Sequence, residues 1–196
     1  TAVIVEDATT PLADKALQVE QGMLLQYSPF VNVYPDKGAT FCFWVKIVEI
    51  VASGSTFLFE FAGSNGLRLN YVPSLNKLQF VNQRTSTTYL PSFKSERILQ
   101  YQHICISIEQ EFDASNVESE KISMFLDGKL KSSFVQLHTI GTPSETWGFQ
   151  FFNDIGNGPS EISVFWSDFR AYERLLAPEE IYALYELGLP QPIVHP

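Results

Sequence analysis

Cleaving a glycosidic bond requires two carboxyl groups about 5–10 Å apart across the bond, and one strand supplies such a pair by carrying acids at alternate positions. Two strand-like runs hold an acid among aromatic residues, Glu60 in FLFEF and Glu161 in SEISVFW, and neither has a second acid two residues on. The histidines His103, His138 and His195 stand apart from any Ser or Cys with the surroundings of a nucleophile elbow. In its strand context His103 is expected to face outward or into an interface. Cys42 and Cys105 with these scattered histidines show no zinc-ligand spacing. The glycines Gly54, Gly63, Gly66, Gly156 and Gly158 form no phosphate-cradling loop ahead of a helix. The sequence therefore predicts a non-catalytic chain, one that binds rather than reacts.

A sugar site combines an aromatic platform with amide and carboxylate hydrogen-bonding groups held on loops. The richest such segment is FFNDIGNGPSE, where Asn153, Asp154 and Asn157 lie near Phe152 and Trp147. The same residue types also simply turn a chain. The longest polar interruption, Gln110–Glu120, is dense in carboxylates. It lacks the Asp-X-Asp-X-Asp-Gly pattern of a calcium loop and reads as a solvated hairpin loop.

These segments need elements to position them. The sequence is a succession of short apolar runs separated by Gly, Pro, Ser and Asn, which predicts many strands rather than helices. Runs include Val3–Val5, Ala16–Val19, Leu24–Tyr27, Thr40–Ile47, Thr56–Phe61, Leu67–Tyr71, Lys77–Val81, His103–Glu109, Lys121–Leu126, Lys129–Phe134, Gly148–Phe152, Ser160–Phe165 and Phe169–Tyr172. Ile104, Ile106 and Ile108 share one face, with His103, Cys105 and Ser107 on the other. Asp127-Gly128 lies between two runs and predicts a tight hairpin with positive φ at one or both positions. From Pro178 the pattern changes: Ile181, Leu184 and Tyr185 share a helical face, Glu179 and Glu180 occupy the first turn, and Gly188 with Pro190 supplies a stop. This predicts one short helix docked on a sheet.

With 196 residues, 45% of them hydrophobic and 16 Phe among them, the chain has enough apolar surface for one core, and a single domain over 1–196 is expected. Thirteen basic against twenty-two acidic residues give a net charge of -9, whose field repels phosphate backbones and argues against a nucleic-acid partner. The same sign is compatible with a bound divalent cation. No stretch approaches the ~18 apolar residues that a membrane-spanning helix needs, so no membrane span is expected. Residues Thr1–Val5 lack the start of a signal peptide, so the chain reads as a processed protein or an excised fragment. No Asn begins an Asn-X-Ser/Thr acceptor. Cys42 and Cys105 sit in the apolar runs FCFWV and HICIS and are expected to be two buried free thiols, because a domain of this size does not need a covalent staple.

The order YQHICISIE, ISMFLDGKLKSS and DFRAYERLLAPEEIYALYELG resembles the ending of laminin-G-like domains in the concanavalin A-like lectin/glucanase superfamily, and DKALQVEQG and GATFCFWVKI resemble that family's opening. The matches span about Ala16 to Gly188. Tyr101 stands where the family usually has Trp, Ser167 at the first Asp of a late Asp pair, and Ala177 in place of a helix-capping Ser. The resemblance implies an all-β fold, a two-sheet antiparallel jelly-roll sandwich with one short C-terminal helix. The family's glucanase strand Glu-X-Asp-X-X-Glu has no counterpart here. By resemblance, Asp168 is the candidate metal ligand and calcium the candidate cofactor; calcium takes six to eight oxygens, so Asp168 alone would not suffice. The resemblance also implies a binding module with either a protein partner, in recognition or assembly within a larger complex, or a glycan. It points to the extracellular space or cell surface, with an intracellular scaffold as the other placement.

Overall fold

The segment ATFCFWVKIVEI is rich in aromatic and β-branched residues, which suit a pleated strand covered on both faces. In the computed structural model it is β4. The structure describes residues 3–6, 15–19, 25–27, 38–50, 56–61, 67–72, 75, 77–82, 87–94, 100–112, 118–137, 149–151, 153–154, 158–159 and 162–189. The strands are β1 (Val3–Glu6), β2 (Lys15–Val19), β3 (Leu25–Tyr27), β4 (Ala39–Ile50), β5 (Thr56–Phe61), β6 (Leu67–Val72), β7 (Lys77–Asn82) and β8 (Thr87–Lys94). They continue with β9 (Gln102–Phe112), β10 (Glu118–Leu126), β11 (Lys129–Leu137), β12 (Phe149–Phe151), β13 (Asn153–Asp154), β14 (Gly158–Pro159) and β15 (Ile162–Tyr172), followed by the helix α1 (Pro178–Gly188).

Two antiparallel sheets form the sandwich, one of seven strands in the order β1-β2-β15-β4-β9-β10-β11 and one of six in the order β3-β12-β5-β6-β7-β8. The inner face of the first sheet carries Phe41, Phe43, Ile104, Ile106, Ile108, Ile122, Met124 and Val164, all buried. The second sheet contributes Leu58, Leu69, Tyr71 and Leu78. Each such side chain stabilises the fold by about 1.5–3 kcal/mol on removal from water. Phe43 stacks on Trp166 across neighbouring strands, with ring centroids 4.5 Å apart.

The described strands of three or more residues follow the apolar runs closely, with three differences. The runs Ser160–Phe165 and Phe169–Tyr172 are one strand, β15, whose register against β4 shifts between Ser167 and Arg170. The polar interruption Gln110–Glu120 is mostly strand, because β9 continues to Phe112 and β10 begins at Glu118. Strand β8, which contains Pro91, has no counterpart among the runs.

The expectation of two free thiols is wrong: Cys42 and Cys105 form a disulfide. The reason is register. They are directly opposed on β4 and β9, on the same face, with Cα atoms 4.1 Å apart, the spacing of the close type of antiparallel pair. Their burial is as expected.

At the β10–β11 turn, Asp127 and Gly128 both have positive φ, 49° and 73°. A Cβ at Gly128 would lie 2.9 Å from Tyr182 Cδ2 on the helix. The substitution Gly128→Val is therefore expected to destabilise the fold by about 1–3 kcal/mol, from backbone strain together with the clash, as measured by urea unfolding beside a Lys129→Ala control.

Candidate functional site

Among the described residues, the outer face of the seven-stranded sheet brings polar and aromatic side chains together. Alternation along β4 places Thr40, Cys42 and Trp44 there, and the register with β9 sets them opposite Ser107, Cys105 and His103. Phe125 of β10 extends the Cys row on one side and Arg170 of β15 on the other. In most sandwiches this face would meet water. Here Cys42, Cys105 and Phe125 form a buried cluster with Leu176 and Ile181, flanked by Tyr172 and Leu184.

The approach to the helix is fixed by polar contacts. Thr40 Oγ1 donates to the Arg174 carbonyl and accepts from the Leu176 N–H, both at 3.0 Å. Ala177 has no side-chain oxygen to cap α1, and Glu180 acts from the first turn instead, accepting the Ala177 N–H at 2.9 Å. Glu180 also pairs with Arg174 through two bonds of 2.8 and 2.6 Å. The Arg174 hydrogen bonds, and then the Ala177 N–H, hold the Glu180 carboxyl down at about 2. At the far end of the helix Gly188 lies against the Trp44 indole, and a Cβ there would come within 2.6 Å of its Nε1. That Nε1 is buried and has no hydrogen-bond acceptor among the described residues.

Of the two placements expected of His103, outward or in an interface, the structure shows the second, between the sheet and α1. His103 is 2% exposed, lies 5.0 Å from the Trp44 ring and 6.2 Å from that of Tyr185, and its Nε2 lies 3.6 Å from Cys105 Sγ. Its backbone is tied to the hairpin turn, the His103 N–H donating to Asp127 Oδ1 and the Asp127 N–H to the His103 carbonyl. Burial, aided by the Arg170 charge, lowers its pKa from 6.5 to about 4, so the ring is neutral near pH 7.

The sequence-derived candidates lie elsewhere. Asn153 and Asp154 make up β13, paired with β14 through Asn153↔Pro159 and Asp154↔Gly158, a small hairpin. Trp147, Phe152 and Asn157 lie outside the described residues, as do Glu161, His138 and His195. Glu60 has Gln150 and Arg68 as cross-strand partners, neither of them an acid. Asp168 sits at the β15 irregularity with φ of 50°, and its Oδ1 accepts from Arg170 Nε at 2.8 Å. Among the described residues, the group of three or more metal-capable side chains is Cys42, His103 and Cys105, and Asp168 is not part of it. Sequence reasoning missed this group because its members adjoin only through the β4–β9 register. The signal available was the His103-X-Cys105 alternation, which puts both on one face.

A laminin-G family model, described as the concanavalin A-like lectin/glucanases superfamily, matches residues 24–182. The chain belongs to that superfamily. Solved structures of similar fold include the receptor binding domain of botulinum neurotoxin C/D mosaic serotype, with a TM-score of 0.69 and 13% identity over 95% of this chain and 44% of that one. The botulinum neurotoxin type G receptor binding domain gives 0.63 and 12% over 96% of this chain and 49% of that one. A structure concerned with cell entry of botulinum neurotoxin type C gives 0.64 and 13%, over 95% and 46%. This superfamily member thus spans less than half the length of the structures it resembles, and at such identity the likeness is one of fold. No curated protein matches the sequence.

A buried neutral His103 makes stability depend on pH. Above pH 6.5 the ring is uncharged both folded and unfolded; between 6.5 and about 4 the unfolded chain binds the proton more readily, so stability falls as pH drops, and below about 4 the loss is complete. Relative to His103→Gln, the wild-type unfolding free energy is expected to decline by about 3 kcal/mol across that window, followed by urea titrations at stepped pH. A constant difference between the two chains would show that His103 is not charged on unfolding.

Proposed function

We propose that this domain is a non-catalytic binding module whose ligand is a protein, acting in recognition or assembly within a larger protein or complex. The observation that carries the reading is a group of exposed apolar side chains at one edge of the outer face. Leu130 and Val135 of β11 are 55% and 54% exposed, and the exposed Tyr182 of α1 reaches the turn at Gly128 beside them. β11 ends its sheet, and exposed Lys129 and Lys131 lie along it. An apolar centre with a charged rim is the usual composition of a protein-binding patch. Membership of a superfamily rich in binding domains, and a fold shared with receptor binding domains, support the reading.

A glycan is the second reading. It is favoured by the fold shared with botulinum neurotoxin type C, whose cell entry depends on interaction with two ganglioside molecules, and by the amide and carboxylate side chains of Asn153 and Asp154. In this version calcium would enter at Asp168, which would have to exchange Arg170 for the ion.

The double substitution Leu130→Asp/Val135→Asp separates the two. Both positions are exposed, so stability should change by no more than about 0.5 kcal/mol each. A partner cross-linked from native extract by the wild-type chain should be reduced at least tenfold with the variant. Saturable binding on a glycan array, abolished by a calcium chelator and by Asp168→Asn but unchanged by the double variant, would replace the protein reading with the glycan one.

A further inference from the structure

We propose that Cys42, His103 and Cys105 form a soft-metal site that the disulfide closes and reduction opens, with Zn(II) as the ion of matching chemistry. Two residues at alternate positions of one strand, with the directly opposed residue of its neighbour, make a three-point cradle on one sheet face. Here those points are an imidazole and two sulfurs, and the ligand atoms all lie within 4.8 Å of one another.

The spacing suits the ion. Zinc–sulfur bonds of about 2.3 Å and zinc–nitrogen bonds of about 2.0–2.1 Å at a tetrahedral angle put sulfur and nitrogen about 3.6 Å apart and two sulfurs about 3.8 Å apart. Cys105 Sγ and His103 Nε2 are already at 3.6 Å. The two sulfurs must part, by rotation about their Cα–Cβ bonds, while the backbone pairing of β4 and β9 holds the strands in register and the remaining ligand distances start within 4.8 Å.

Charge balance suits the surroundings. Two thiolates and a neutral imidazole around Zn(II) sum to zero, the neighbouring Arg170 is paired with Asp168, and a neutral cluster is what such a buried pocket tolerates. All three ligands are buried, beneath Ile181 and Leu176 on one side and beside the Trp44 and Tyr185 rings on the other. The protein fills three positions, leaving the fourth for a water or a small ligand.

The chemistry balances in two steps. A dithiol reductant supplies two electrons and two protons, breaking the Cys42–Cys105 bond to two thiols while it closes to its own disulfide. Zn(II) then displaces the two thiol protons and forms two zinc–sulfur bonds and one zinc–nitrogen bond. Oxidation by a disulfide of the glutathione class reverses the sequence and expels the ion. The same chain would therefore carry a covalent staple in an oxidising compartment and a zinc ion in a reducing one.

The test uses the full chain, reduced with a water-soluble phosphine under nitrogen and freed of reductant, then titrated with zinc chloride against a chromophoric chelator. One zinc per reduced chain at submicromolar affinity is expected, with at least a hundredfold weaker binding by the disulfide form. Cobalt(II) in place of zinc should give a thiolate-to-metal charge-transfer band. The substitution His103→Gln should weaken binding at least tenfold while its disulfide still forms, as read by mass spectrometry, and Cys42→Ser/Cys105→Ser should abolish both the binding and the cobalt band. Equal affinity in the oxidised and reduced chains, binding that survives the double serine substitution, or loss of the β-sheet circular dichroism on reduction in the presence of zinc would each overturn the proposal.

Discussion

The pairing of β4 with β9 is the constraint on which the rest of the structure depends. Most strands of an antiparallel sandwich are dry on one face and wet on the other. This pair is dry on both, covered inside by the facing sheet and outside by α1 with the segment leading into it. A one-residue slip of β4 would exchange Phe41 and Phe43 with Thr40 and Cys42, and one of β9 would exchange Ile104 and Ile106 with His103 and Cys105. Both faces would then be wrong, so the register is specified twice, and the disulfide specifies it a third time.

Much of the fold was legible because it depends on local signals. The alternation Ile104, Ile106, Ile108 marks a core face, and those residues occupy it. Asp127-Gly128 predicts positive φ and has it at both positions, because that pair tolerates a left-handed backbone better than most. Pro178, the acidic first turn and Gly188 bound α1 where the sequence places it. The substitution of Ala177 for a capping Ser is offset from within the helix, since Glu180 takes over the N-terminal N–H and pairs with Arg174. What defeated local reading was local as well: Pro91 hid β8, and the carboxylates near Gln110 disguised strand as loop.

The site was less legible, because it is a property of pairing between distant strands. Cys42 and Cys105 are 63 residues apart in sequence, and each alone resembles an ordinary buried thiol. Strand context leaves His103 either outward or in an interface, and it is the helix laid over it, which no periodicity along β9 encodes, that decides for the interface. Asp168 shows the opposite failure. The residue matches a family position, yet its immediate neighbourhood supplies Arg170, a ready cation two residues away. A motif gives the identity of a side chain; the bulge that turns it toward Arg170 comes from the register shift between β15 and β4.

The place of β15 in its sheet bears on how the molecule is made. It lies between β2 and β4, so the β1–β2 hairpin reaches the rest of the seven-stranded sheet only through the last of the described strands in chain order. Until it is in place the sheet exists as two fragments, each ending in an unpaired edge, β2 on one side and β4 on the other. Exposed edges of this kind recruit strands from other chains. In chain order the central gap closes only with β15, which completes the sheet while bringing α1 to the face it covers. Pairings this distant in sequence form slowly, and the edges of β2 and β4 are open to misassociation until β15 lies between them.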